Sequence, residues 1–93
     1  MTTAIVFHEV ENGKVWQKAW HQGPGSRHEM FGVLGIKARN FRDPSNPNLT
    51  GLLLEVPDVE RFKAFLDSDA GRKAMQEDGL KVDTIRMLTE FTP

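Results

Sequence analysis

The order of apolar patterns predicts an α+β domain, a four-stranded antiparallel sheet with its helices on one face. Three observations carry this expectation. Four strand-like segments and two helical ones follow each other as β-α-β-β-α-β. The middle two strands are joined only by Asp43-Pro44-Ser45-Asn46-Pro47-Asn48, a run of turn formers short enough for a hairpin. Leu52, Leu53 and Leu54 are consecutive, so the third strand is apolar on both faces, as a strand covered from both sides would be. A chain of 93 residues fits one domain over 1–93.

The first strand is expected over Thr2 to Glu11, with Ala4, Val6, His8 and Val10 on one side and Ile5, Phe7 and Glu9 on the other. Asn12-Gly13 turns the chain. Lys14 to His21 is helical by spacing, with Val15, Trp16, Ala19 and Trp20 on one face. Gly23-Pro24-Gly25 interrupts that helix. Ser26 and Glu29 have capping-box spacing, which predicts a further turn to Phe31, ended by Gly32. The second strand follows over Val33 to Arg42. Leu34, Ile36 and Ala38 face one way; Val33, Gly35, Lys37, Arg39 and Phe41 face the other.

The third strand runs from Leu49 until Pro57 stops it, and Asp58 caps the next helix. Val59, Phe62, Phe65 and Leu66 make its apolar stripe. Ser68 is a fresh cap after a break at Asp67, and Ala70, Ala74 and Met75 are expected inward. Gly79 fits the left-handed position past a helix end. The last strand places Ile85, Met87 and Phe91 on one side and Val82, Thr84, Arg86 and Leu88 on the other. The simplest closure of these parts is the ferredoxin-like split βαβ arrangement.

Composition removes several classes of function. A formal net charge of −1 with no basic block argues against nucleic-acid binding. With no cysteine there is no disulfide, thiolate metal site, iron–sulfur cluster or cysteine nucleophile. No apolar run approaches the roughly 18–20 residues of a membrane helix, and the first residues lack the pattern of a secretory signal. A cytoplasmic protein is therefore expected. No phosphate loop, dinucleotide fingerprint, nucleophile elbow or H-E-x-x-H pair occurs, and no cofactor is expected.

The sheet face away from the helices should read polar if water covers it. Here it carries apolar residues on the third strand and a mixture on the others. A second copy of the chain could cover it, which predicts a homodimer.

Few residues invite chemistry. His8 sits among apolar strand residues, where burial could tune it for proton transfer; the alternative is a hydrogen-bonded structural histidine. His21 and His28 flank the Gly-Pro break and lack a third ligand, so no metal site is expected. Arg39 and Lys37 share a strand face with Phe41; Arg39 could orient an anion, or pair across strands with Glu55 or Glu9. Trp16 and Trp20 pack the core or form a pocket wall with His28, Met30 and Phe31.

The chain resembles the dimeric α+β barrel superfamily, and within it the small proteins around the antibiotic-biosynthesis monooxygenases and the cyclase-like or stress-responsive barrels. The element order covers nearly the whole chain. The local likeness lies in Trp16 and Trp20 on the first helix, Arg27 after it, Gly32, the DPSNPN turn, and the helix DVERFKAFLDSDAGRKAM ending in Gly79. The resemblance implies two sheets facing each other across a dimer and small molecules bound between sheet and helices. The site residues of haem-degrading members do not carry over. The first strand has no asparagine, the third no tryptophan, and Asp58 to Asp78 no histidine. The tyrosine of quinone-forming members is also missing, for the chain has none.

The expectation is a homodimer binding a small, partly apolar molecule, with any catalysis cofactor-free. His8 would carry the proton, Arg39 would orient, and Trp16, Trp20, His28 and Phe31 would line the pocket. A non-catalytic interaction module with no open pocket, and a cofactor-free monooxygenase, are the alternatives.

Overall fold

Alternation along the strands sets the two faces of the sheet. The computed structural model describes residues 1–21 and 23–93. Its strands are β1 (Thr2–Glu9), β2 (Lys37–Asp43), β3 (Asn46–Val56) and β4 (Arg86–Thr89). Its helices are α1 (Gly13–Ala19), α2 (Arg27–Val33), α3 (Val59–Asp67) and α4 (Asp69–Glu77). The strands lie in the order β2-β3-β1-β4, every neighbour antiparallel, which is the ferredoxin-like arrangement. No helix among the described residues is long and apolar enough to cross a membrane.

Register fixes what each face carries. Ala4 lies opposite Leu54, Val6 opposite Leu52 and His8 opposite Thr50, and all six are buried beneath the helices. On the other face Ile5 lies opposite Leu53 and Leu88, and Phe7 opposite Gly51 and Arg86. The helices complete the inner layer with Trp16, Trp20, Phe31, Phe62 and Ala74. Together these apolar side chains make the core that holds helices to sheet.

Each helix begins where a short polar side chain accepts from a free N–H. Asn12, Ser26, Asp58 and Ser68 accept from Lys14, Glu29, Arg61 and Gly71. Helices α2 and α4 both end in Schellman motifs. Gly35 and Gly79 take positive φ (73° and 72°), and the N–H groups of Ile36 and Leu80 donate back to the carbonyls of Phe31 and Met75 at 3.0 Å.

Several boundaries differ from the sequence expectation. Gly32 stays inside α2, and Gly35 ends it; only Gly35 sits where the left-handed turn is needed, so Val33 and Leu34 belong to the helix end. The second strand therefore starts at Lys37. Strand β1 stops at Glu9, leaving Val10 in a single bridge with Leu80. The hairpin is tighter than predicted, because Asn46, Pro47 and Asn48 already belong to β3. Helix α1 ends at Ala19, and Val15 points outward at 43% exposure, since a helix of about two turns buries only the Trp16 and Trp20 side. Ala70 is exposed and Gly71 takes the inward position. The last strand keeps only Arg86 to Thr89; Val82–Thr84 forms a 3-10 turn, and Phe91 lies beyond the ladder, exposed.

Gly71 marks the tightest point of the α3–α4 break. A Cβ there would overlap the carbonyl oxygen of Phe65 and stand 3.0 Å from Leu66 Cα. Both are backbone and cannot swing away. Gly71→Ala is expected to cost about 2–3 kcal/mol, as overpacked sites do, read as a lowered urea midpoint with an unchanged m-value.

Candidate functional site

The inner face of β1 brings one titratable ring into the apolar layer. His8 is 3% exposed, opposite Thr50 on β3. The Thr50 hydroxyl donates to the His8 backbone carbonyl at 2.9 Å. The same oxygen also hydrogen-bonds His8 Nδ1. A hydroxyl has one proton, and the carbonyl can only accept, so the proton in the second bond belongs to the ring. Thr50 thereby fixes the Nδ1–H tautomer and leaves Nε2 as the basic nitrogen. Burial pushes the His8 pKa below its ordinary value of 6.5, against a smaller upward pull from a backbone hydrogen bond. The ring is neutral near pH 7.

Aromatic rings continue from His8 into the helices. Trp16 meets it edge-on with centroids 5.9 Å apart, and Trp20, one turn on, lies 6.2 Å from Trp16. Trp20 meets Phe31 of α2 at 5.2 Å, and Phe31 meets Phe62 of α3 at 5.7 Å. The indole Nε1 atoms of Trp16 and Trp20 are both buried with no hydrogen-bond partner among the described residues. A buried donor without a partner is costly and uncommon, so two neighbouring ones stand out.

Beside these rings lies a cavity of about 80 Å³. Val6, His8, Leu52 and Leu54 line it from the sheet, Trp16 and Trp20 from the α1 segment, Phe31 from α2, and Phe62, Phe65 and Leu66 from α3. One water needs roughly 10–15 Å³ of such space, so the cavity has room for several waters or a molecule of a few heavy atoms. His8, the two indoles, Arg27 and Asp78 stand around it, but the surface they turn to it is almost wholly apolar.

That pair joins Arg27 of α2 to Asp78 at the end of α4. Arg27 Nε donates to both carboxylate oxygens at 3.0 Å, and Nη2 stands 2.8 Å from Oδ1. Both side chains are buried. Burial pushes the Asp78 carboxyl above its ordinary value, and the Arg27 hydrogen bond and charge pull it part of the way back.

The structure gathers His8, Trp16, Trp20 and Phe31 around one cavity. His28 packs behind Trp20, 5.0 Å between centroids, and is not among the cavity's lining residues. Arg39 is on the opposite face of the sheet, exposed, its guanidinium 5.7 Å from the Phe41 ring. It cannot orient a ligand held by His8, because the sheet lies between them. Lys37 lies opposite Glu55 on that same face. Among the described residues no group of three or more His, Asp or Glu is placed to hold a metal. Sequence reasoning missed Thr50 and the Arg27–Asp78 pair. Parity with Leu52 and Leu54 put Thr50 on the inner face, but its partner depends on a pairing 42 residues apart.

A neutral native His8 has a stability signature. The unfolded chain binds a proton on this ring at higher pH than the folded one. Stability is thus full above about pH 6.5 and falls as pH drops from there toward the lowered folded value, by at most about 1.4 kcal/mol per pH unit. Urea unfolding at pH 7.5 and 5.5 should show this loss, and His8→Gln should remove most of it.

No protein-family model matches the sequence. No curated protein sequence matches it either. Solved structures do match. A crystal structure described as an antibiotic biosynthesis monooxygenase superposes with a TM-score of 0.66 at 9% identity, covering 100% of this chain and 99% of that one. A protein of Nitrosomonas europaea assigned as an antibiotic biosynthesis monooxygenase gives 0.68 at 11% identity, covering 99% and 98%. The chain has the ferredoxin-like α+β fold of the antibiotic biosynthesis monooxygenase structures, end to end.

Proposed function

We propose that this protein binds a small, partly apolar molecule in the cavity between sheet and helices, as a homodimer and without a cofactor. The cavity beside His8 is the observation that supports this most: an apolar space between the sheet and the helices. A packed layer with no void would have favoured a non-catalytic interaction module.

The dimer is supported by the outer face. Ile5, Phe7, Phe41 and Leu88 are 42%, 47%, 49% and 60% exposed and are neighbours through the β2-β3-β1-β4 ladder. Contiguous exposed apolar side chains mark a contact surface, and a second copy offers the same patch in a two-fold pairing. A second reading, oxygenation, is suggested by the names of the two similar structures. At that identity the likeness carries fold and not substrate.

Binding can be followed directly, because Trp16 and Trp20 are the chain's 2 tryptophans and both line the cavity. Titration with dimethyl sulfide, a small, partly apolar neutral molecule, should change their fluorescence saturably and raise the melting temperature. A linear fluorescence response with no thermal shift, up to the solubility of the probe, would remove the proposal.

A further inference from the structure

The cavity surface rules out a polar group inside it. That surface is almost wholly apolar: the indole Nε1 atoms of Trp16 and Trp20 are buried away from it, and Arg27 and Asp78 bond to each other. A polar group placed there would lose its water and gain no partner. Whatever enters is hydrocarbon in character, and it is short. A cavity of about 150 Å³ takes benzene with its six carbons, so one of about 80 Å³ takes roughly three carbons.

A second space lies on the outside of the same helices. An open groove is lined by the end of α3, by α4 and by the segment after it. Leu66, Met75 and Leu80 border both the groove and the cavity. All three are half-buried, whereas His8, Trp16, Leu54 and Phe62, which also line the cavity, are buried. Exposure therefore rises across the cavity toward these three side chains, which marks them as its mouth. Met75 is unbranched and adapts its shape readily, as a residue at a mouth must.

The groove offers what the cavity lacks. Asp67, Arg72 and Gln76 stand along it, all exposed. Among the described residues neither Asp67 nor Arg72 makes an ion pair. One carboxylate and one guanidinium leave the groove neutral in sum, so a head group of either charge would meet a like charge there. A hydroxyl suits both, since it accepts from Arg72 or Gln76 and donates to Asp67.

Resting on the cavity-binding proposal, we infer that the ligand is a short unbranched aliphatic alcohol. Its chain passes between Leu66, Met75 and Leu80 and ends in the cavity. Its hydroxyl stays in the groove beside Asp67 and Arg72. The chain supplies affinity by leaving water, and the head group decides which end goes in.

Titration of the native protein with the n-alkanols from ethanol to n-octanol, followed by tryptophan fluorescence, tests this. Affinity should rise about 4-fold per added methylene, the scale of burying one CH₂. The rise should stop by n-hexanol, when the cavity is full and the remaining carbons span the mouth. At neutral pH n-hexanol should bind more tightly than hexanoate and than hexylammonium. Ala74→Leu puts a side chain into the cavity and should stop the rise earlier in the series. Arg72→Met should weaken every alkanol about 3-fold, the worth of one hydrogen bond, and leave the increment per methylene unchanged. Should Ala74→Leu fail to fold, the native series still decides. Saturable dimethyl sulfide binding with no rise along the series, a rise unbroken to n-octanol, or tighter binding of either charged hexyl compound overturns this inference and leaves the cavity proposal standing. Absence of saturable binding by dimethyl sulfide and by every alkanol overturns both.

Discussion

Arg27→Leu is expected to lower folding stability by about 3–5 kcal/mol, the range found when one partner of a buried ion pair is removed. A domain of this size has roughly 5–14 kcal/mol in all, so the variant should sit near the edge of folding. The loss arises on Asp78, which stays buried with no cation beside it. Two consequences separate this from a plain packing defect. First, Arg27→Leu with Asp78→Leu should recover most of the loss, because neither charge then needs a partner. Second, the penalty relative to the native protein should shrink as pH falls. Burial already pushes the Asp78 carboxyl up, and removing Arg27 removes the opposing pull. A folded pKa above the unfolded one means the folded state binds more protons. The variant's stability then falls as pH rises through that window and is recovered in acid. Urea midpoints of the three variants at pH 7.5 and 5.5 measure both effects. Equal losses in single and double variants would show that the pair acts through packing alone.

The second large effect concerns self-association. Phe7→Lys places a charge at the middle of the outer face, between Gly51 on β3 and Arg86 on β4. In the proposed dimer it would be buried against its own symmetry mate or a near neighbour. The substitution should weaken association at least 100-fold, about 3 kcal/mol, as loss of a central aromatic anchor does. It should leave the circular dichroism spectrum unchanged, since Phe7 does not face the core. Sedimentation velocity at micromolar concentration should move from twice the chain mass to once. A native protein that already sediments as a single chain would end the dimer proposal.

Much of the fold was readable because its determinants are local. Asp58 and Ser68 announce helix starts, Gly79 a helix end, and Pro57 a strand end, each through a short-range hydrogen bond or its absence. The errors fall where two local signals competed. Gly32 and Gly35 both suited a stop, and only the fold shows which one must turn left-handed. Val15 fitted the helical stripe, but α1 is short and its burial is set by where Trp16 meets His8. The site was half legible for the same reason. Strand parity put His8 on the inner side with Ala4 and Val6, and helical spacing put Trp16 and Trp20 together. Arg39 was joined to His8 by strand position and residue type, and register places them on opposite sides of the sheet. The Arg27–Asp78 contact joins residues 51 apart, beyond any periodicity.

The position of β1 between two antiparallel neighbours bears on which changes of chain length this protein can accept. Its residues from Ala4 to Phe7 are paired on both sides at once, with β3 and with β4. Inserting or deleting a single residue in that span would exchange the roles of Phe7 and His8, turning a phenylalanine inward and a histidine out to solvent. Point substitutions there have graded effects, but a one-codon shift does not. Length variation among descendants of this sequence should therefore collect in the Asp43–Asn46 hairpin and around Gly23–Gly25, and spare the span from Thr2 to Glu9.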